Sequence, residues 1–240
     1  MLADSPNQLA DTGATGLTPA QKLGVVAKRY NMPGLLKMQP TEQIIYDSID
    51  LSTLSSAGST TFSFFANTNT KNFPFTNLQQ NKLNAGNVIV VQYVQLQLIS
   101  CSIVTVAGVN TSVITNIRTL EENLSGTVAA TFKPLLASQL TLVVGSSEVV
   151  KDFPLTNGYA GFNPAGKFGT KAFASATICE QYGHSSVDLR SEPVILPQLE
   201  FKANLQMPQF IQASIPTPGT QFLRLVLGGF GTIPSMAKPM

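Results

Sequence analysis

The stretch that most constrains the fold is residues 86–106, GNVIVVQYVQLQLISCSIVTV. Its even-numbered positions are mostly Val and Leu, including Leu96 and Leu98, whereas its odd-numbered positions include Gln95 and Gln97. Period-two alternation rich in β-branched residues predicts a strand with one buried face. Because the run exceeds an ordinary strand of about 5–6 residues, we expect one long strand or two strands bent near residues 100–102. Leu96 and Leu98 should lie in the core, and the glutamine face should be wet or lie at a subunit contact.

Composition favours a folded protein with a weakly charged surface. Charged residues make up 12% of the chain and are outnumbered by Asn and Gln, whereas 43% of the residues are hydrophobic. A disordered chain would be poor in apolar residues and highly charged. A surface built from neutral polar side chains repels weakly, which suits a protein that packs against copies of itself. The net charge of +2 is too small to indicate a surface that coats nucleic acid.

Targeting signals and metal-binding cysteines are not evident in the sequence. The N-terminal residues lack the basic and apolar regions of a signal peptide. No stretch has the roughly 18 uninterrupted apolar residues of a membrane-spanning helix, so we expect a protein made in a cytoplasm. Cys101 and Cys179 both lie in apolar, strand-like runs, which favours buried free thiols over a disulfide. Without a CxxC spacing, we expect no metal and no cofactor.

The N-terminal 37 residues are interpreted as a polar arm that contains one short helix. Thr18-Pro19 offers an N-cap followed by proline at the first helical position. The segment is locally basic and gives four candidate contacts with a neighbouring subunit or with the interior of an assembly: Lys22, Lys28, Arg29 and Lys37. The simpler interpretation is a solvated helix face. We expect about the first 35 residues to order only on assembly, so that a chain starting near Leu36 should fold but assemble poorly.

Residues 38–230 are predicted to form one β-domain, followed by a tail at residues 231–240. Nine or ten strand-like runs alternate with long polar loops, and no helices separate them, which favours an antiparallel sandwich or barrel. In the loop at residues 67–87, Phe73, Phe75 and Leu78 should pin the chain to the domain. An immunoglobulin domain uses about 100 residues and a core tryptophan, and this chain has no Trp. The irregular connections therefore favour a jelly roll.

Catalytic groups in a suitable arrangement are not evident. The single histidine, His184, lies in a polar stretch, where a surface position is commoner than a role beside a nucleophile. Glu121 and Glu122 are adjacent and would point to opposite faces of a strand, which does not suit a glycosidase pair. The scattered glycines of residues 158–169 follow no strand–helix pattern that would cradle a phosphate. We therefore predict that the protein is not an enzyme.

The strand-like runs of residues 40–230, with long loops rich in Asn, Pro and Phe, resemble the jelly-roll capsid proteins of tailless icosahedral bacteriophages. The stretches that carry the resemblance are residues 62–83, 140–155 with VVKDFPL at 149–155, and 193–205. It implies an all-β, antiparallel jelly-roll sandwich with a polar N-terminal arm and one short N-terminal helix. The chain length favours a single jelly roll, with a compact double jelly roll as the alternative.

The resulting hypothesis is a virion structural protein: a self-assembling icosahedral capsid subunit without catalysis. Its partners would be copies of itself in trimers or pentamers, other virion proteins, and the genome or an internal membrane through the arm. The alternative is a carbohydrate- or receptor-binding β-sandwich of a phage fibre or decoration module. Its binding surface would be an aromatic loop that contains Phe153, Tyr159, Phe162 and Phe168.

Overall fold

A computed structural model describes residues 17–53, 61–71, 73–106, 108–119, 138–155, 187–189, 191–207 and 217–233. These residues form one α-helix, α1 (Pro19–Arg29), three short 3-10 helices and ten strands. The strands are β1 (Gln39–Asp50), β2 (Thr61–Phe64), β3 (Ile89–Val106), β4 (Val109–Thr119), β5 (Gln139–Val144), β6 (Ser147–Pro154), β7 (Val187–Asp188), β8 (Val194–Ile195), β9 (Phe201–Gln206) and β10 (Gln221–Ile233).

The strands form two antiparallel sheets. The large sheet has the order β1-β10-β3-β4, and β7 and β8 pair with β3 as well. The small sheet has the order β2-β9-β5-β6. The main core contains apolar side chains from both sheets, among them Phe62, Phe64, Leu96, Leu142 and Leu205. The prediction of an all-β antiparallel sandwich is therefore confirmed.

The long strand β3 has the predicted extent, but its faces change at a β-bulge. Val91 pairs with Gly229 and Tyr93 with Gly228, so Gln92 is an extra residue on β3. An extra residue reverses the alternation of side chains beyond it. Before the bulge the odd-numbered side chains enter the main core, and after it the even-numbered ones do. Leu96 and Leu98 are buried as predicted, but the expectation of one buried face along the whole run is wrong.

The helix α1 starts as the sequence predicts. The Thr18 hydroxyl accepts a hydrogen bond from the Gln21 N–H, and the Gln21 side chain accepts one from the Thr18 N–H. This reciprocal pair is a capping box, which satisfies two N–H groups that the helix cannot. Pro19 occupies the first turn, where its missing N–H costs nothing.

The same helix packs against the domain, so residues 17–37, the described part of the arm interpreted as residues 1–37, are not separate from the domain. Its apolar face, with Leu23 and Val26, packs in a second core cluster that includes Val88, Val90 and Phe230 of the large sheet. Burial of such side chains stabilises by roughly 1.5–3 kcal/mol each. A chain starting near residue 36 would expose this cluster, so we now expect it to be destabilised. Residues 1–16 lie outside the described residues.

The last strand extends beyond the predicted domain boundary at residue 230. β10 continues to Ile233 and pairs with β1 from Phe222 onward, so residues 231–233 belong to the sheet and not to a tail. Glycines in this strand allow the close approach of β3. A Cβ at Gly229 would lie 2.0 Å from the Val90 carbonyl oxygen, and one at Gly231 would lie 2.1 Å from the Val88 oxygen.

The polar loop after β2 is held by two of its three predicted anchors. The Phe75 ring packs on Phe222 with 4.3 Å between ring centroids, and Leu78 packs against the main core. Phe73 is 81% exposed, so its predicted role as an anchor is wrong.

Candidate functional site

The predicted basic cluster does not form one surface, because Lys22 is turned into the domain. Its ammonium group forms an ion pair with Glu192, and Gln92 Nε2 donates to the same carboxylate oxygen at 3.1 Å. The ammonium also lies 5.9 Å from the centroid of the Phe230 ring. A buried lysine needs such partners. Lys22 therefore fixes α1 to the bulge of β3.

The other three basic residues lie at the end of α1 and just beyond it. Lys28 is exposed and Arg29 is partly exposed, both in the last turn of the helix, where cations complement its dipole. Burial raises the pKa of the neighbouring Tyr30, and the charge of Arg29 offsets part of that rise. Lys37 ends the 3-10 helix Pro33–Lys37, and its side chain lies outside the described residues.

On the core side of β1, the fully buried side chain of Asp47 forms an ion pair with the partly buried Lys71. Its carboxylate oxygens each lie 2.8 Å from Lys71 Nζ, and one of them accepts the Phe65 N–H at 2.7 Å. The group links β1 to the loop that follows β2. Buried charges in proteins are normally paired and hydrogen-bonded. The contacts of the Asp47 carboxylate are therefore those of a structural ion pair.

On the opposite face of the large sheet, Arg224 is buried in a second polar cluster. Its guanidinium donates to the Ser48 hydroxyl at 3.2 Å and to the Pro74 carbonyl at 2.6 Å. Its central carbon lies 4.4 Å from the centroid of the Tyr46 ring. Burial lowers the pKa of Arg224, an effect that Tyr46 and Cys101 partly offset.

Cys101 is a buried free thiol, as predicted. Burial raises its pKa; the charge of Arg224 lowers it in part, and that of Asp50 raises it further. The thiolate is the nucleophile and metal ligand, so a raised pKa keeps this sulfur in its unreactive form at neutral pH. Cys179 lies outside the described residues.

The described ranges contain no group of three or more His, Cys, Asp or Glu side chains that could hold a metal ion. Within the same ranges, no helix has the length and apolar content to cross a membrane. His184, Glu121, Glu122 and the glycines of residues 158–169 lie outside the described residues.

Of the aromatic residues assigned to a binding loop, the structure describes one. Phe153 lies in β6, where it is half-buried and packs against the main core. It is therefore not a free loop side chain. Tyr159, Phe162 and Phe168 lie outside the described residues.

The most distinctive surface is the distal part of the β3–β4 hairpin, which we call the ribbon (residues 101–106 and 109–117). All of it except residues 116 and 117 lies beyond the end of β10. The pairing of β3 with β10 ends at Ser100, and β4 continues as its strand partner to the turn at Gly108. Five large apolar side chains on the ribbon are exposed: Ile103 (39%), Val104 (42%), Val109 (64%), Val113 (45%) and Ile117 (45%).

The pairing register assigns these side chains to two faces. Val104 pairs with Thr111, so the two side chains lie on the same face of the hairpin. Val109 and Val113 are each two residues from Thr111 along β4, which places them on that face as well. Ile103 and Ile117 lie on the other. Contiguous exposed apolar surface in a folded protein commonly marks an interaction site.

The sequence predicts the first strand of the ribbon, within residues 86–106, but not its exposed surface. A signal was present: between Lys82 and Arg118 the sequence contains no Asp, Glu, Lys or Arg. Where such a run is fully buried, the absence of charge is expected. Here its second half is exposed, which only the pairing of the strands reveals.

Comparisons of the chain with protein-family models, with curated proteins and with solved structures found no match.

Proposed function

We propose that this chain is a self-assembling structural subunit of an icosahedral virion shell, built on a single jelly roll and acting without catalysis. The observation that carries the proposal is the nested pairing of the strands. From the two ends of the chain inward, β1 pairs with β10, β2 with β9, β3 with β8, and β5 with β6.

Nested pairing is the pattern of one long hairpin rolled into two sheets, as in an eight-stranded jelly roll. The two rolled-up halves meet where β10 pairs with β3 and where β9 pairs with β5. Both β8 and β7 pair with β3, β8 at residues 89–90 and β7 further along at residues 93–94. The strand β4, which pairs with the remainder of β3, is extra to the eight-stranded pattern. Jelly rolls are common in viral capsids and also in lectins, so the fold alone does not decide between them.

Two surface properties favour the shell over a lectin. The chain has few charges and a net charge of +2, which weakens the repulsion between copies. The ribbon presents apolar side chains on both faces, as expected of a surface that another protein covers. The aromatic loop proposed for the alternative gains no support from Phe153, which packs against the core.

Native mass spectrometry of the purified chain over a concentration series up to tens of micromolar tests the proposal. We expect closed oligomers, trimers or pentamers, whose population grows with concentration. A strict monomer throughout, even when the other proteins of its virion are added, would contradict the proposal. Specific binding on a glycan array by a monomeric chain would favour the alternative.

A further inference from the structure

The edge of β4 that faces away from β3 has the features of a strand that pairs with another strand. In the part of the chain that the structure describes, β4 pairs with β3 on one side and is the last strand of its sheet. Every second residue of such a strand directs its N–H and C=O outward. Proteins protect an edge of this kind with charges, prolines or bulges. The register shift places a bulge near Thr115, but residues 109–114 are regular and carry no charge or proline.

We propose that this edge pairs with the same edge of a second copy, antiparallel and about a two-fold axis at Thr111. A two-fold contact uses the same patch of both copies. A residue on the axis therefore faces the identical residue, and any other residue i faces residue j while j faces i. With Thr111 on the axis, Val109 of each copy would lie opposite Val113 of the other. These valines share the face that also carries Val104, and paired β-branched side chains stabilise neighbouring strands.

The absence of charge is what favours a second copy over an unrelated partner. A charged residue near a two-fold axis would meet an identical charge, and like charges directly opposite destabilise a strand pair. The ribbon has none, and the nearest charged residue along β4 is Arg118. Contacts between different proteins commonly use complementary charge for specificity. This edge has no charged side chain that an unrelated partner could complement.

The contact would be small. Residues 109–113 extend over about 17 Å at about 3.4 Å per residue, so the pair buries less than the roughly 800 Å² per partner of a standard stable interface. We therefore expect it to dissociate on dilution and to act beside other contacts within a shell. The inference rests on the proposed self-assembly, which it deepens by naming the surface used.

Charge-swap variants at Thr111 test the pairing, since this side chain is exposed and its replacement leaves the core intact. Thr111→Lys and Thr111→Glu should each raise the Kd of self-association, measured by sedimentation velocity, by about tenfold or more, because like charges would meet on the axis. An equimolar mixture of the two variants should restore association. Gln206→Lys, at an exposed position of the small sheet, should associate like the wild type. Rescue by mixing also shows that both variants are folded.

Three results would overturn the pairing. If both Thr111 variants associate like the wild type, the ribbon is not a contact, although the proposed function stands. If they associate weakly and mixing restores nothing, the edge is covered by another surface or by a segment of its own chain. If the wild type itself stays monomeric under the same conditions, the proposed function fails together with the pairing.

A covalent test gives the register. Thr111→Cys should form a disulfide-linked dimer under mild oxidation, since Cα atoms of opposed residues in an antiparallel pair lie about 4.5–5.5 Å apart, within the range that a disulfide bridges. Gln206→Cys should not. Equal cross-linking of the two variants would contradict the assignment of the axis to Thr111.

Discussion

The buried carboxylate of Asp47 allows the most quantitative prediction. Its side chain is 0% exposed, accepts two contacts at 2.8 Å from Lys71, and accepts the Phe65 N–H at 2.7 Å. Phe65 has φ of +63°, a conformation that bulky residues rarely adopt. The carboxylate therefore holds a strained backbone as well as a charge.

Asp47→Ala removes both interactions at once. Leaving the buried Phe65 N–H without an acceptor costs about 1–3 kcal/mol, and breaking a buried ion pair costs about 3–5 kcal/mol. The Lys71 side chain is 22% exposed and can turn toward water, so we expect the lower ends of both ranges, a combined loss of about 4 kcal/mol. In a chain of this size each kcal/mol lowers Tm by about 2–4 °C, which predicts a decrease of about 8–16 °C.

Asp47→Asn separates the two contributions, because the amide oxygen can still accept the Phe65 N–H while the charge is lost. It should destabilise less than Asp47→Ala. Glu148→Ala is the matched control, since its ion pair with Lys151 is at the surface and such pairs contribute about 0–1 kcal/mol. The measurement is urea unfolding followed by circular dichroism. If Asp47→Ala cost no more than Glu148→Ala, the structural role given to this pair would be wrong.

Three further predictions concern other parts of the fold. Cys101 should stay unmodified by a thiol reagent in the native state at pH 7–8 and react after unfolding. Its pKa is raised in the folded state, so its contribution to stability should be complete below the unfolded pKa of about 8.5. That contribution should be lost as pH rises through the folded pKa. Gly229→Ala should destabilise strongly, because its Cβ would lie 2.0 Å from a backbone oxygen, whereas Gly34→Ala, with nothing within 4 Å, should be nearly neutral in thermal unfolding. Leu96→Ala should cost about 2–5 kcal/mol in urea unfolding and Gln97→Ala far less; equal losses would show that the two faces of β3 are misassigned.

Features encoded within a few residues could be predicted from the sequence. The start of α1 follows from Thr18-Pro19 with Gln21 three residues after the cap, and its capping bonds form as that spacing requires. Likewise, the alternation around Leu96 predicts which side chains enter the core. Both patterns act over two to four residues, the range over which backbone periodicity operates.

Features that depend on a distant strand could not be predicted. The bulge at Gln92 exists only relative to the register of β10. Gln92 interrupts the apolar even-numbered positions, but one polar residue does not by itself indicate a bulge. Lys22 and Glu192 are 170 residues apart, so a lysine that joins a helix to a sheet looked like one of four surface cations. Gly229 is a strand breaker by propensity, yet it lies inside β10 because the backbone of β3 passes so close to it.

Electron cryo-microscopy of the purified protein, alone and with the other proteins of its virion, tests self-assembly into a shell most directly. We predict closed particles of uniform diameter, with a two-sheet sandwich in each subunit and density joining neighbouring ribbons across local two-fold axes. Particles no larger than the single 25.6 kDa chain at every concentration and in both preparations would contradict the account.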